Sequence, residues 1–157
     1  KGLPVDVSFD APFPTTPGLV SRDYQTGDGA YVLVAPAKGP LKKVVSDKVF
    51  AADGKYGSYG APSEVKLKGS ERRGDGDEVF EYTFVALTPA MREVARRVRA
   101  RAIQVGGDDV FILVAGSTAA RWRAAEPALS KAVDSFSARP APEFSAEMVA
   151  FRKKGGK

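Results

Sequence analysis

The sequence has no cysteine, no histidine, one tryptophan and two methionines among 157 residues. Without cysteine there is no disulfide, no thiolate nucleophile and no thiolate-held metal. Without histidine the usual general base near neutral pH is missing, and with it Ser–His and Cys–His catalysis and Cys/His zinc sites. Carboxylate catalysis and oxygen-ligand metal sites remain open. Long apolar runs are absent too: none approaches the ~20 residues of a membrane-crossing helix. The chain starts at Lys1 rather than Met and shows no signal-like segment. It therefore reads as a processed product or as part of a longer chain.

What is present is ordinary for one soluble globular domain: 43% hydrophobic and 27% charged residues, enough for one core and too little for two. The net charge of +5 is uneven. Arg139, Arg152, Lys153, Lys154 and Lys157 against Glu143 and Glu147 put +3 of it in residues 139–157. A weakly basic body with a basic tail points to an acidic partner surface, without specifying nucleic acid.

Residues 1–23 carry Pro4, Pro12, Pro14 and Pro17 and read as an extended arm, with Val5, Val7 and Phe9 on one side of a short strand. Thr26-Gly27-Asp28-Gly29 is turn chemistry, and Ala30–Ala35 is an apolar strand ended by Pro36. LKKVVSDKVF at 41–50 reads as a second strand, and the glycine-rich 53–62, with Tyr56 and Tyr59, as a loop. A meander follows. Ser63–Glu71 alternates, residues 74–77 turn, and Glu78–Leu87 returns with Phe80, Tyr82, Phe84 and Ala86 on one face. Apolar groups on both of its faces suggest a central strand.

Thr88-Pro89 suits a helix start, so residues 90–98 read as helix or as strand. Gly106-Gly107-Asp108-Asp109 is a hairpin turn, and VFILVAG at 110–116 is the most apolar strand. Trp122, Ala125, Leu129, Val133 and Phe136 are spaced 3, 4, 4 and 3, one face of a core-facing helix. Pro127 sets its expected regular start at Glu126. This order of elements predicts an α+β fold, a central antiparallel sheet flanked by helices.

Two further patterns bear on function. In a strand, Arg97, Arg99 and Arg101 share one face and would track phosphates, which makes a nucleic-acid-binding module the alternative reading. The blander reading is a charged sheet surface. In the tail, Phe144, Met148 and Phe151 fall on one side of a short helix whose end carries Arg152, Lys153 and Lys154. Together with Val5, Val7 and Phe9, these residues are the expected partner contacts. The turn carboxylates Asp75, Asp77, Glu78, Asp108 and Asp109 read as exposed and match no calcium-loop spacing.

Four segments, in order across about 24–138, resemble the PsbP family: Tyr24-Gln25-Thr26-Gly27-Asp28-Gly29 with AYVLVAPAK, GDGDEVFEYTFVAL, RAIQVGGDDVFILVAG, and the closing ARWRAAEPALSKAVDSFS. The resemblance implies an α/β/α sandwich over 24–138, between an arm at 1–23 and a basic tail at 139–157. It implies a non-catalytic, extrinsic protein of the chloroplast thylakoid lumen, peripheral to the membrane. Such a protein docks on a photosystem core and its lumenal extrinsic subunits. Typically the host is photosystem II, where family members help retain calcium and chloride at the oxygen-evolving complex. Others act in assembly, or with photosystem I or another thylakoid complex. No cofactor bound directly by the chain is implied. The stretch between the first strand and the Tyr-Gly loop is shorter than in plant members, and the tail runs past the usual end. Histidines proposed as metal ligands in the family have no counterpart here, so no metal site carries over.

Overall fold

The computed structural model describes residues 4–141. In chain order the elements are β1 (Val5–Ser8), β2 (Thr15–Thr16), β3 (Val20–Arg22), β4 (Gly29–Pro36), α1 (Leu41–Val49), β5 (Ser63–Gly74), β6 (Asp77–Leu87), β7 (Glu93–Val105), β8 (Asp109–Thr118), α2 (Trp122–Ser135) and β9 (Ser137–Pro140). Seven strands make one sheet in the order β2-β3-β4-β8-β7-β6-β5. Each neighbouring pair is antiparallel. β1 and β9 form a separate antiparallel ribbon. This is the α+β class expected from the sequence, with one helix on each face of an antiparallel sheet.

Strand alternation builds two cores, one on each face of the sheet, where the composition suggested one. Phe80, Tyr82 and Phe84 of β6, Val98 and Ala100 of β7, and Ile112 and Val114 of β8 face α1, which contributes Val44, Val45 and Val49. Leu113 and Ala115 face the other way and meet Trp122, Ala125, Leu129, Val133 and Phe136. The helical stripe read from the sequence is thus buried throughout. Each large apolar side chain taken from water contributes about 1.5–3 kcal/mol, so both layers hold the sheet.

The stretch 41–50, expected as a strand, forms helix α1 over Leu41–Val49. Leu41, Val44, Val45 and Val49 recur at helical spacing and pack on the sheet, while Lys42, Lys43 and Lys48 face water. Pro40 stands at the N-cap, where its missing N–H lies outside the helical ladder. Residues 93–98 are strand, and Thr88 closes a turn instead of capping a helix. Its carbonyl accepts the Met91 N–H (2.8 Å), and its hydroxyl accepts the Arg92 N–H (3.2 Å). Pairing with both β6 and β8 then satisfies the backbone of β7 from two sides.

Helix α2 starts at Trp122, four residues before the expected start, and includes Pro127. The proline removes one bond, to the carbonyl of Arg123, an exposed residue in the first turn where water can replace the donor. Burial of Trp122 and Ala125 holds that turn on the sheet. β6 is next to last in the sheet, not central; β8 is the middle strand. The apolar groups on both faces of β6 are accounted for by the two cores, which extend that far. Edge strand β5 is exposed over all 12 residues, and its charges discourage edge pairing.

Much of the N-terminal arm is built into the body. β2 and β3 extend the sheet, and the buried Ser21 hydroxyl donates to the Phe13 carbonyl (2.7 Å) while accepting its N–H (2.9 Å).

Candidate functional site

On the α2 face, β7 presents Arg97, Arg99 and Arg101, and β6 presents Asp77 and Glu81 opposite them. Glu81 accepts from Arg97 (2.6 Å) and from Arg99 (2.9 Å). Arg101 makes a fork to Asp77, Nε to Oδ1 and Nη2 to Oδ2, both 2.9 Å. Arg101 Nη1 donates to the carbonyls of Val133 and Asp134, so it also caps the end of α2. Arg99 reaches Glu126 and the Ser130 hydroxyl on the same helix. The Arg97 and Arg99 guanidinium groups lie 5.1 and 5.6 Å from the Trp122 ring centre.

Burial pushes the Glu81 carboxyl up, but hydrogen bonds from Arg97 and Arg99 outweigh it and hold the group below the usual carboxylate range. The hydrogen bonds that Arg101 donates to Asp77 raise the guanidinium above its ordinary value. These arginines fasten the helix to the sheet. Asp77, expected as an exposed turn carboxylate, is one of their partners.

A second pair ties the two ends of the domain. Asp28 is buried, and Arg121 binds it through Nη2 at 2.9 Å and Nε at 3.2 Å. The two residues are 93 positions apart, in the Gly27-Asp28-Gly29 turn and in the Arg121-Trp122 step that opens α2.

The α1 face differs. Helix α1 covers only part of the sheet, and residues 51–62 fold over the remainder, carrying Tyr56 inward. Gly57 permits that fold, since a Cβ there would collide with the Ala52 carbonyl. Gly116 leaves room for the ring: a Cβ would come within 2.6 Å of Val98 and 3.0 Å of the Tyr56 hydroxyl. Between the loop and the sheet rim lies a cavity of about 490 Å³.

Tyr31, Tyr56 and Tyr59 line this cavity together with Arg22, Lys55 and Arg96, and among the described residues no acidic side chain lines it. Arg96 sits 5.3 Å from the Tyr56 ring centre, and Lys55 Nζ sits 4.6 Å from that of Tyr31. Among the described residues, the Nε atoms of Arg96 and of its neighbour Arg97 are buried with no hydrogen-bond partner. Burial lowers Lys55, with Arg22 adding like-charge repulsion, and burial raises Tyr31 and Tyr56. Both phenols therefore stay protonated at neutral pH and remain hydrogen-bond donors.

Of the expected partner contacts, Val5 and Val7 on the β1–β9 ribbon and Phe9 just after it are half-buried against the α2-side core. Arg97, Arg99 and Arg101 share one strand face, as expected, but with internal carboxylate partners. Phe144, Met148, Phe151, Arg152, Lys153 and Lys154 lie outside the described residues. Among the described residues no three carboxylates gather as a metal site would need. The cavity was not anticipated. Its one sequence signal is the parity of Arg96, which opposes that of Arg97, Arg99 and Arg101 once β7 is known to be a strand.

No protein-family model and no curated protein sequence matches the chain. Solved structures do. LpqN of Mycobacterium tuberculosis, involved in cell envelope biogenesis, is 14% identical, with 89% of this chain and 87% of that chain covered and a TM-score of 0.52. The cyanobacterial PsbP, CyanoP, of Synechocystis sp. PCC 6803 is 16% identical over 85% of this chain and 81% of that one, with a TM-score of 0.48. PA94 of Pseudomonas aeruginosa, a protein of unknown function described as a putative regulator, is 14% identical over 90% and 87%, with a TM-score of 0.47. At 14% identity the likeness to LpqN is one of fold, and a fold alone does not carry function.

Proposed function

We propose that this chain is a non-catalytic extrinsic subunit of the PsbP kind, docking on the lumenal side of a photosystem. Photosystem II is the proposed host, and the proposed role is support of the oxygen-evolving complex, through calcium and chloride retention or through assembly. The observation that carries the reading is the Asp28–Arg121 pair. It joins the first and last of the four PsbP-like segments, which supports reading them as parts of one structural unit. The other two segments supply β6 and the β7–β8 hairpin, the sheet interior between them. The described residues include no helix long and apolar enough to cross a membrane, which suits a peripheral subunit.

Nucleic-acid binding is the weaker reading. The three arginines it would use already face Asp77, Glu81 and Glu126. Phosphates would have to displace carboxylates held at close range.

The test is fractionation of native thylakoids followed by a high-salt wash. The expected outcome is a salt-released protein that co-migrates with photosystem II before the wash. Co-migration with photosystem I would move the host and keep the docking role. Recovery only outside the lumen would overturn the proposal.

A further inference from the structure

We propose that the cavity on the α1 face binds a small organic carboxylate, a molecule with one anionic head and a flat apolar body. This inference rests on the cavity alone and stands apart from photosystem docking.

The charge pattern is the first argument. Five arginines are half-buried: Arg96, Arg97, Arg99, Arg101 and Arg121. Four of them reach a carboxylate within 3.2 Å. Arg96 has no ion-pair partner among the described residues, although a half-buried guanidinium without a counter-charge is costly. Among the described residues its Nε is buried and unbonded, as is that of Arg97, so a ligand in the cavity would meet Arg96 through its Nη atoms. Arg22 and Lys55 add two further cations at the same cavity, and neither is ion-paired among the described residues. A site built only for packing would not gather three cations and exclude every acid.

Size and lining set the ligand class. About 490 Å³ is the scale of a small-molecule pocket, far more than a bare halide or phosphate would fill. Val20, Leu87, Pro89 and Val94 supply apolar wall, and the rings of Tyr31 and Tyr56 supply flat faces. A guanidinium fork and phenolic O–H donors match the planar two-oxygen head of a carboxylate. Lys55 and Arg22, both exposed, stand at the rim where they would draw the anion in.

The experiment is a titration of the ¹⁵N-labelled full chain, followed by NMR, with benzoate, benzamide and inorganic phosphate at constant ionic strength. Benzoate is expected to shift the amides of Tyr31, Arg96 and Gly116 in a saturable way. Benzamide, its neutral counterpart, is expected not to, and phosphate should bind more weakly. R96Q should weaken benzoate about tenfold or more, the worth of one charge-assisted contact. K55Q, on an exposed rim residue, should weaken it severalfold. R72Q removes the same charge from an exposed position on β5 and should leave binding unchanged.

The proposal is overturned if benzoate causes no saturable shift, if benzamide binds as well, or if phosphate binds as tightly. It is also overturned if R96Q and K55Q keep wild-type affinity. Should R96Q fail to fold, K55Q against R72Q decides.

Discussion

Arg96 and Arg97 are neighbours on β7 and lie on opposite faces of the sheet. Arg97 meets Glu81 at 2.6 Å and the Trp122 ring, beneath a helix. Arg96 meets Tyr56 at the wall of a cavity and has no carboxylate partner among the described residues. Both faces have an apolar core of similar make, so the difference is not one of hydrophobic support. It lies in what closes the rim. On one face a 14-residue helix lies over the arginines and brings Glu126, Ser130 and its terminal carbonyls to them. On the other a glycine-rich loop brings aromatic rings and a lysine. In the first arrangement each arginine finds a carboxylate within the chain; the second leaves charge to be matched from outside.

The largest expected effect tests the claim that the two cores are equal partners. Phe84→Ala on the α1 face should cost about 3–5 kcal/mol, and Leu129→Ala on the α2 face about 2–5 kcal/mol. Denaturant unfolding measures both. If either leaves the midpoint unchanged, that layer is not part of the core.

A smaller effect should separate the arginines. Asp77→Asn removes the fork from Arg101, a side chain only 12% exposed, and should cost about 1–3 kcal/mol. Arg96→Gln removes an uncompensated charge and should leave stability unchanged or raise it by up to about 1 kcal/mol. Equal losses in the two variants would erase the distinction between the faces.

The smallest effects are pH-dependent and fall on opposite limbs. Glu81 is held below its ordinary value, so its contribution is present above the unfolded value of about 4.3 and is lost as pH falls through the lower folded value. Glu81→Gln should flatten the acid limb of a stability–pH curve. On the α1 face, burial pushes the Tyr82 hydroxyl up to about 12, with Glu78 adding to it, and the hydroxyl has no partner among the described residues. That contribution is present below the unfolded value of about 10 and is lost as pH rises through the folded one. Tyr82→Phe should be near neutral at pH 7 and should flatten the alkaline limb between those values. A flattened acid limb in the Tyr82 variant would contradict the assignment of limbs to faces.

The parts legible in the sequence are those where a single period governs. The alternation of β6 and the 3-4-4-3 stripe of α2 each follow from one buried face. α1 was misread because three valines in ten residues resemble a strand, although the Leu41, Val44, Val45, Val49 spacing was already helical. β7 stayed ambiguous because its arginines suit a helix surface as well as a strand, and only pairing on both sides decides. That ambiguity also hid the cavity. The face of Arg96 is defined only once β7 is a strand, and the position of Tyr56 only once the loop folds back. The carboxylate partners of Arg97, Arg99 and Arg101 were out of reach for a related reason: cross-strand register is a tertiary fact.

The β1–β9 ribbon has a mechanical consequence. Val5 faces Pro140, Ser8 faces Ser137, and the Ala141 N–H donates to the Pro4 carbonyl at 2.8 Å. Residues 4 and 141 thus leave the ribbon side by side at one end. Tension that draws them apart loads the hydrogen bonds one after another, as in opening a zipper, instead of shearing them all together. The ribbon should therefore yield at low force and release its grip on the α2-side core before the seven-stranded sheet bears any load.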